Sequence, residues 1–199
     1  MELDSKAIET LSVNAVKNSI VTTDFLDQFI AENDKEPSWD GFVYMYSNKS
    51  KKKSNFKGRM PVQVKGKMCD DHDKEIISYS MSTADLKNYL NDGGCILFVV
   101  YIGCADLVTK IYYAELTPIK LRQLLEDADQ QDWKSVKLRE FPRDNNKKCT
   151  IFFNCLQNCQ KQASFKDGKL YTLEELEEQG VLENIVCLLY TSPSPRDRQ

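Results

Sequence analysis

Three polar residues have the types and the spacing that phosphodiester chemistry uses. Asp40 precedes a run of β-forming residues, and Gln63 and Lys65 lie in a second such run, separated by the single residue Val64. Because residues i and i+2 of a strand share a face, the amide and the ammonium should project together. If the two runs pair as a hairpin with its tip near Lys52, Asp40 is expected opposite Lys65. A carboxylate, a carboxamide and an ammonium would then meet at one edge of a sheet.

Glu9 is a fourth candidate, and helical periodicity positions it. Residues 5–20 repeat apolar side chains with a helical period, and Glu9 falls on the flank of the apolar face, between Val16 and Ile20. A carboxylate that faces the body of a domain needs a partner, a metal ion or a water molecule. The alternative is a glutamate at the rim of the helix whose side chain extends into solvent.

Such a set of side chains is suited to the hydrolysis of phosphodiesters. Oxygen atoms of Asp40, Glu9 and Gln63 could hold Mg²⁺ or Mn²⁺, which polarises a phosphate and lowers the pKa of a bound water. Lys65 would stabilise the negative charge that develops on the phosphate. The spacing alone also fits a simpler interpretation, in which Asp40 is a turn residue before Gly41 and the other two occupy a solvated strand face.

Positive charge is concentrated in the segment that follows Asp40 and contains Gln63 and Lys65. Residues 41–69 contain no Asp or Glu, although the whole chain has 27 Lys and Arg against 30 Asp and Glu. Its basic residues other than Lys65 are Lys49, Lys51, Lys52, Lys53, Lys57, Arg59 and Lys67. A basic arm beside the site would hold a nucleic-acid backbone through salt-sensitive contacts, and Tyr44, Tyr46 and Phe56 could stack on bases. The alternatives are a solubilising loop tip and packing of the tyrosines within the sheet.

Other classes of site find little support. There is no glycine-rich phosphate-binding motif, and His72 is the single histidine, so nucleotide-binding folds and histidine-based catalysis are not expected. The longest apolar run, residues 95–102, is shorter than the roughly 20 residues a membrane helix needs. Because the first residues also lack the pattern of a signal peptide, we expect a cytoplasmic protein with reduced cysteine thiols and no membrane partner.

The elements that must position the candidate residues predict an α/β fold. The predicted helices cover residues 5–20, 84–90, 118–127 and 151–163, and the predicted strands cover residues 42–46, 60–65, 76–81, 95–102, 110–116 and 136–141. Residues 23–30 are either a short strand or an irregular link. Three strands between two helices, followed by an apolar central strand, predict a mixed sheet flanked by helices.

The motif and the element order together resemble the PD-(D/E)xK, or restriction-endonuclease-like, nuclease superfamily. Asp40 is followed after 22 residues by Gln63-x-Lys65, and the order helix-strand-strand-strand-helix-strand resembles the αβββαβ core of that superfamily. Four segments resemble more narrowly a bacterial family within it, domain of unknown function 4365. These segments are NDKEPSWDGFVYMY, GRMPVQVKGK, LNDGGCILFVVYIG and KIYYAELTPIKLR.

The resemblance implies a Mg²⁺- or Mn²⁺-dependent DNA endonuclease in bacterial defence. Asp40 matches the first metal-binding acid, Lys65 the motif lysine, and Glu9 the acid that many members carry on the first helix. Gln63 departs from the usual Asp or Glu, although similar Gln-x-Lys forms occur among Mrr-like restriction nucleases. Because a neutral amide binds Mg²⁺ more weakly than a carboxylate, the alternative is a catalytically silent nucleic-acid- or protein-binding module that retains the fold.

The end of the chain is interpreted differently from the rest. Residues 187–197, CLLYTSPSPRD, correspond to the translated end of a sequencing transposon, so we interpret 187–199 as adapter sequence rather than natural sequence. The expected organisation is a nuclease-like domain over residues 1–165 and, over residues 166–186, the start of a truncated C-terminal region. The chain is then a metagenomic fragment whose expected partners are DNA and the missing region, with a homodimer left open.

Overall fold

A computed structural model describes residues 3–31, 39–70, 73–165, 173–178 and 180. The chain forms two compact units, Met1–Lys166 and Asp167–Gln199. In the second unit the described residues are the short helix Leu173–Glu178 and Gly180. The adapter-like residues 187–199 and most of the region 166–186 lie outside the described residues.

The first unit contains alternating helices and strands. Its α-helices are α1 Ser5–Val21, α2 Thr83–Asp92, α3 Pro118–Glu126 and α4 Asn145–Lys161. Its strands are β1 Leu26–Ile30, β2 Gly41–Tyr46, β3 Phe56–Met68, β4 Ile76–Ser82, β5 Cys95–Ile102, β6 Thr109–Leu116 and β7 Trp133–Glu140. Two single 3₁₀ turns, Lys53–Asn55 and Ala163–Phe165, complete the described elements.

The seven strands form one mixed sheet in the order β1-β2-β3-β5-β6-β7-β4. β3 and β5 run parallel, and every other neighbouring pair is antiparallel. Two cores lie on the two faces of this sheet. Buried residues of α1 and α4 pack on one face, and buried residues of α2 and α3 pack on the other. The predicted class, an α/β fold with a mixed sheet flanked by helices, is confirmed.

β5 shows why a continuous apolar run predicts a central strand. All eight of its residues are buried, because helices cover both faces of the sheet at this strand. Its residues alternate between the two cores, with Phe98 and Val100 on the side of α1 and Leu97 and Val99 on the side of α2. A strand with one polar face would bury that face in one of the two apolar cores.

The position of one predicted strand needs correction. We expected residues 76–81 to be the third strand of the initial group, but β4 lies at the far edge of the sheet and pairs with β7. β1 takes part in the initial group instead, so that β1, β2 and β3 form an antiparallel meander. The physical reason is that a strand pattern specifies which face is buried and does not specify which neighbour supplies the hydrogen bonds.

Local contacts place α1 directly against β3. The helix begins at the cap Asp4, whose carboxylate accepts a hydrogen bond from Ala7 N at 2.7 Å. Gly66 of β3 allows the close approach, since a Cβ there would collide with Ser12 Oγ and lie 2.6 Å from Ile8 Cγ2. This contact brings Glu9, the neighbour of Ile8, to the part of β3 that carries Lys65.

Candidate active site

The site lies where β2 begins, at the point beyond which no described strand pairs with that edge of β3. The β2–β3 ladder ends with Gly41 opposite Val62, and the Asp40 N–H donates to the Val62 carbonyl at 3.1 Å. Beyond that point the Asp40 carboxylate takes the place of a pairing strand. Its Oδ2 accepts hydrogen bonds from Val64 N at 2.6 Å and from Gln63 Nε2 at 2.7 Å. The backbone of β3 therefore fixes the carboxylate at the open edge.

The predicted hairpin register is wrong by two residues. The ladder places Asp40 at the level of Gln63 and not opposite Lys65. The loop between the strands holds a 3₁₀ turn and the ladder has an irregularity between Met45 and Tyr46, and neither feature is visible in the residue pattern. Because a slip of two residues keeps each side chain on its face, the three side chains still meet.

Gln63 holds Asp40 in position. Its side chain is only 4 % exposed, and its amide nitrogen donates to the Asp40 carboxylate. A glutamate in the same place would put a second negative charge against Asp40 in a poorly solvated position. The glutamine replaces that repulsion with a hydrogen bond, while its amide oxygen is the atom with the chemistry to bind a cation.

The surroundings of Asp40 work against its ionised form. Burial raises the pKa of Asp40, and the charge of Glu9 raises it further. Three contacts lower the pKa: the hydrogen bond from the Val64 N–H, the charge of Lys65 and the hydrogen bond from Gln63. The net effect is a raised pKa. Lys65 and Glu9 are thus both close enough to act on Asp40, so the four predicted residues form one electrostatic group.

The donor atoms of this group fit a hard cation. Carboxylate and amide oxygens are the ligands that Mg²⁺ and Mn²⁺ prefer, and Mg²⁺ commonly keeps several of its waters. A cation held by these carboxylates would offset both the burial of Asp40 and its repulsion by Glu9. Among the described residues no three His, Cys, Asp or Glu side chains are grouped closely enough to hold a metal, so two carboxylates and one amide are the available set.

Two aromatic residues beside the site were not anticipated. The rings of Trp39 and Tyr89 meet edge to face with centroids 6.1 Å apart and pack in the core on the side of α2, and the charge of Asp40 acts on Tyr89. Within the described structure, the buried Trp39 Nε1 and Tyr89 hydroxyl have no hydrogen-bond partner. Burial raises the pKa of Tyr89, so it stays a neutral donor. The position of Trp39 next to Asp40 was the one available sequence signal.

A shallow cleft adjoins this aromatic pair. It has a volume of about 340 Å³ and is lined by Trp39 and by Asn88, Asn91 and Asp92 of α2. Because Trp39 directly precedes Asp40, the cleft provides space for a ligand beside the candidate site.

The basic residues do not form a single patch beside the site. Lys52 and Lys53 are exposed at the hairpin tip, at the end of β2 remote from Asp40. At about 3.3 Å per residue, the length of β2 separates the tip from Asp40 by roughly 20 Å. Lys67 lies nearer the site, two residues beyond Lys65 on β3, with its ammonium 5.8 Å from the centre of the Tyr101 ring.

Two of the hairpin lysines already have partners within the chain. Lys49 forms an exposed ion pair with Asp24 at 2.8 Å. The Lys51 ammonium donates to the Leu26 carbonyl at 2.6 Å, so it supports the turn. The exposed cations that remain for a nucleic-acid backbone on this hairpin are Lys52, Lys53, Lys57 and Arg59.

Changing Lys52, Lys53 and Lys57 together to glutamine should weaken DNA binding in a salt-dependent way. If each ammonium contacts a phosphate, the slope of log affinity against log salt should flatten by roughly 2 to 3 units, about 0.9 per lost contact. Fluorescence anisotropy with a labelled duplex at several salt concentrations measures this slope.

A matched triple variant, Lys137→Gln, Lys147→Gln and Lys161→Gln, removes the same charge from exposed positions elsewhere. It should leave the slope nearly unchanged. Equal slopes for the hairpin variant and the unmodified chain would identify the hairpin lysines as a solubilising loop tip.

The six described cysteines are free thiols, and no described helix is long and apolar enough to cross a membrane. His72, the single histidine of the chain, lies outside the described residues.

No protein-family model, curated protein or solved structure matches this chain significantly. The resemblance to the PD-(D/E)xK superfamily therefore stays a prediction from motif and element order.

Proposed function

We propose that this chain is a metal-dependent nuclease-like domain that hydrolyses DNA phosphodiesters, similar to PD-(D/E)xK nucleases and acting in bacterial defence. The observation that carries the proposal is the position of the Asp40 carboxylate. It lies at an open strand edge, hydrogen-bonded to Val64 N and to Gln63, with Lys65 and Glu9 close enough to affect its ionisation. This arrangement combines oxygen ligands for a metal ion with the positively charged ammonium group of Lys65.

Each residue has a distinct part in the proposed reaction. Asp40 and Glu9 would hold the divalent cation, and Gln63 orients Asp40 through its hydrogen bond and would offer its amide oxygen. When bound, the cation polarises the phosphate and lowers the pKa of a coordinated water. Lys65 shares a face of β3 with Gln63, so its ammonium lies on the side of the strand where Gln63 contacts Asp40. Its role is to stabilise the extra negative charge on the phosphate in the transition state.

The purified chain should nick or cleave DNA when Mg²⁺ or Mn²⁺ is present, and EDTA should stop the reaction. We expect Mn²⁺ to support the higher rate, because Mg²⁺ demands stricter octahedral geometry and Gln63 supplies a weaker ligand than a carboxylate. Gel assays of supercoiled plasmid and of a labelled single strand, each with both metals, measure the activity. A folded chain that leaves both substrates intact with both metals would contradict the proposal.

A catalytically silent binding module is the second candidate function. It is favoured by the hydrogen bond between Gln63 and Asp40, because this bond lets the chain satisfy the carboxylate without any metal. A silent module should bind nucleic acid equally well with EDTA and with Mn²⁺. Titration of Mn²⁺, followed by its paramagnetic signal, distinguishes the two, since only the nuclease should bind the ion at Asp40 and lose it in Asp40→Asn.

A further inference from the structure

The outer face of the β1–β2–β3 meander carries a cluster of aromatic side chains, which we call the aromatic face. Its members are Phe29 of β1, Phe42, Tyr44 and Tyr46 of β2, and Phe56 at the start of β3. Phe29 is 69 % exposed and Phe56 is 45 % exposed. On this side of the sheet, the described helices α2 and α3 pack on β4, β5, β6 and β7, and no residue of β1 or β2 belongs to their core.

Strand register places these aromatic residues side by side. Phe29 lies opposite Phe42, Phe42 opposite Pro61, and Tyr44 opposite Arg59. The opposite side chains of this meander, such as Val43 and Met45, are fully buried against the other core. The aromatic rings are therefore not required to fill either core.

Contacts within the aromatic face join its side chains into one surface. The Phe56 ring lies 5.9 Å from both Tyr44 and Tyr46, and the Arg59 guanidinium lies 4.3 Å above the ring of Phe42. Aromatic rings and a planar guanidinium are the groups on which nucleobases stack. Together they form an extended surface rather than a single isolated ring.

The charge around the aromatic face favours a polyanion. The exposed cations that remain on this hairpin for a ligand are Lys52, Lys53, Lys57 and Arg59, and residues 41–69 contain no acidic residue. Against these four cations, Asp27, opposite Tyr44, is the single acidic residue of β1, β2 and β3. Single-stranded nucleic acid combines a polyanionic backbone with exposed bases, so it complements both the lysines and the rings. The bases of a duplex are stacked on one another and cannot use the rings.

The aromatic face continues into the candidate active site. Along β3, the residues Arg59, Pro61, Gln63 and Lys65 alternate onto the same side of the sheet. The path from Arg59 to Lys65 is about 20 Å long at about 3.3 Å per residue. Phe42 of the aromatic face is two residues from Asp40, so a strand stacked on the rings would end beside the candidate site.

We propose that the aromatic face binds single-stranded nucleic acid and leads it to the Asp40 site, so that the preferred substrates are single strands or unpaired ends. The cleavage part of this inference rests on the proposed function, whereas the binding part does not. The expected order of affinity is single strand above duplex of the same sequence.

Binding in EDTA tests the inference without any cleavage. The probe is a labelled oligothymidylate of about 16 nucleotides, which is the upper end of the range of site sizes of single binding modules. Its affinity is compared with that of its duplex. The variants Phe29→Ser and Phe56→Ser should each weaken single-strand binding by roughly 5- to 10-fold or more, the loss expected for one stacked base, and should leave duplex binding nearly unchanged. Trp133→Ser is the matched control, because Trp133 is a 61 % exposed aromatic residue on β7, away from the meander.

Three outcomes would overturn the inference. The first is equal affinity for single strand and duplex, and the second is unchanged single-strand binding in Phe29→Ser and Phe56→Ser. The third is that these variants alter sedimentation of the chain but not its affinity for the oligonucleotide, which would make the face a contact between two copies. Single-strand binding that depends on Phe56, in a chain that cleaves nothing, would support the inference while the proposed nuclease function fails.

Discussion

Replacing Lys65 by alanine should lower the cleavage rate by on the order of 10²-fold or more, the scale for removing one preorganised charge-stabilising group. The loss arises because the ammonium acts where negative charge develops, so binding of the ground state needs it much less than the transition state does. DNA affinity measured in EDTA should change little, and circular dichroism should show an unchanged fold. Single-turnover cleavage with excess enzyme gives the rate.

Lys137→Ala is a suitable control for this experiment. Lys137 is an exposed lysine on β7, between the buried residues Val136 and Leu138, so its removal takes away the same charge from a strand surface far from Asp40. Its cleavage rate should match that of the unmodified chain. Equal rates in Lys65→Ala and the unmodified chain would show that any cleavage comes from a contaminant or another site.

Asp40→Asn should abolish cleavage while leaving the fold at least as stable at neutral pH. The asparagine oxygen can still accept the hydrogen bonds from Val64 N and Gln63 Nε2, but the charge that binds the cation is gone. A fall of at least 10²-fold is expected, because the loss even of outer partners of metal ligands costs about 10- to 100-fold. The same change removes the burial penalty and the repulsion from Glu9, so the thermal midpoint should stay equal or rise.

The pH dependence of that stability difference has a definite sign. The pKa of Asp40 is raised in the folded protein above the ordinary value of 3.8, so its ionisation costs stability. The cost is complete above the raised pKa and disappears below about 3.8, where the carboxyl is protonated in both folded and unfolded chains. Thermal melts from neutral to acidic pH should therefore show the two midpoints converging. An Asp40→Asn midpoint well below that of the unmodified chain at pH 7 would contradict this account of the site.

Lys65→Ala and Asp40→Asn together separate the role of the ammonium from the role of the carboxylate in the candidate site. Lys65→Ala removes a charge that lowers the pKa of Asp40, whereas Asp40→Asn removes the carboxylate itself. If both lose cleavage and only the second also loses Mn²⁺ binding, the division into cation ligand and charge stabiliser is supported.

Elements with a strong local period could be predicted from the residue pattern. The strand at residues 95–102 is given by its unbroken apolar run, and α1 by its helical period and a capping residue at its start. The pattern of β1 is short and half-polar, so it does not distinguish a strand from an irregular link; the segment forms a strand because β2 offers an edge to pair with. The pattern of β4 specified a half-buried strand, yet its place beside β7 depends on residues more than 50 positions away.

The sequence by itself determined which chemical groups the site contains. It also determined that Gln63 and Lys65 lie on the same face of their strand, because strand periodicity is a local property. Tertiary structure alone decided that Asp40 bonds to Gln63 and Val64, since the register depends on how the hairpin loop folds. It also decided that Glu9 reaches this edge, because α1 packs on Gly66, and that neither α2 nor α3 packs on the aromatic face, because these helices cover other strands. Each of these depends on packing between distant segments, which no local pattern contains.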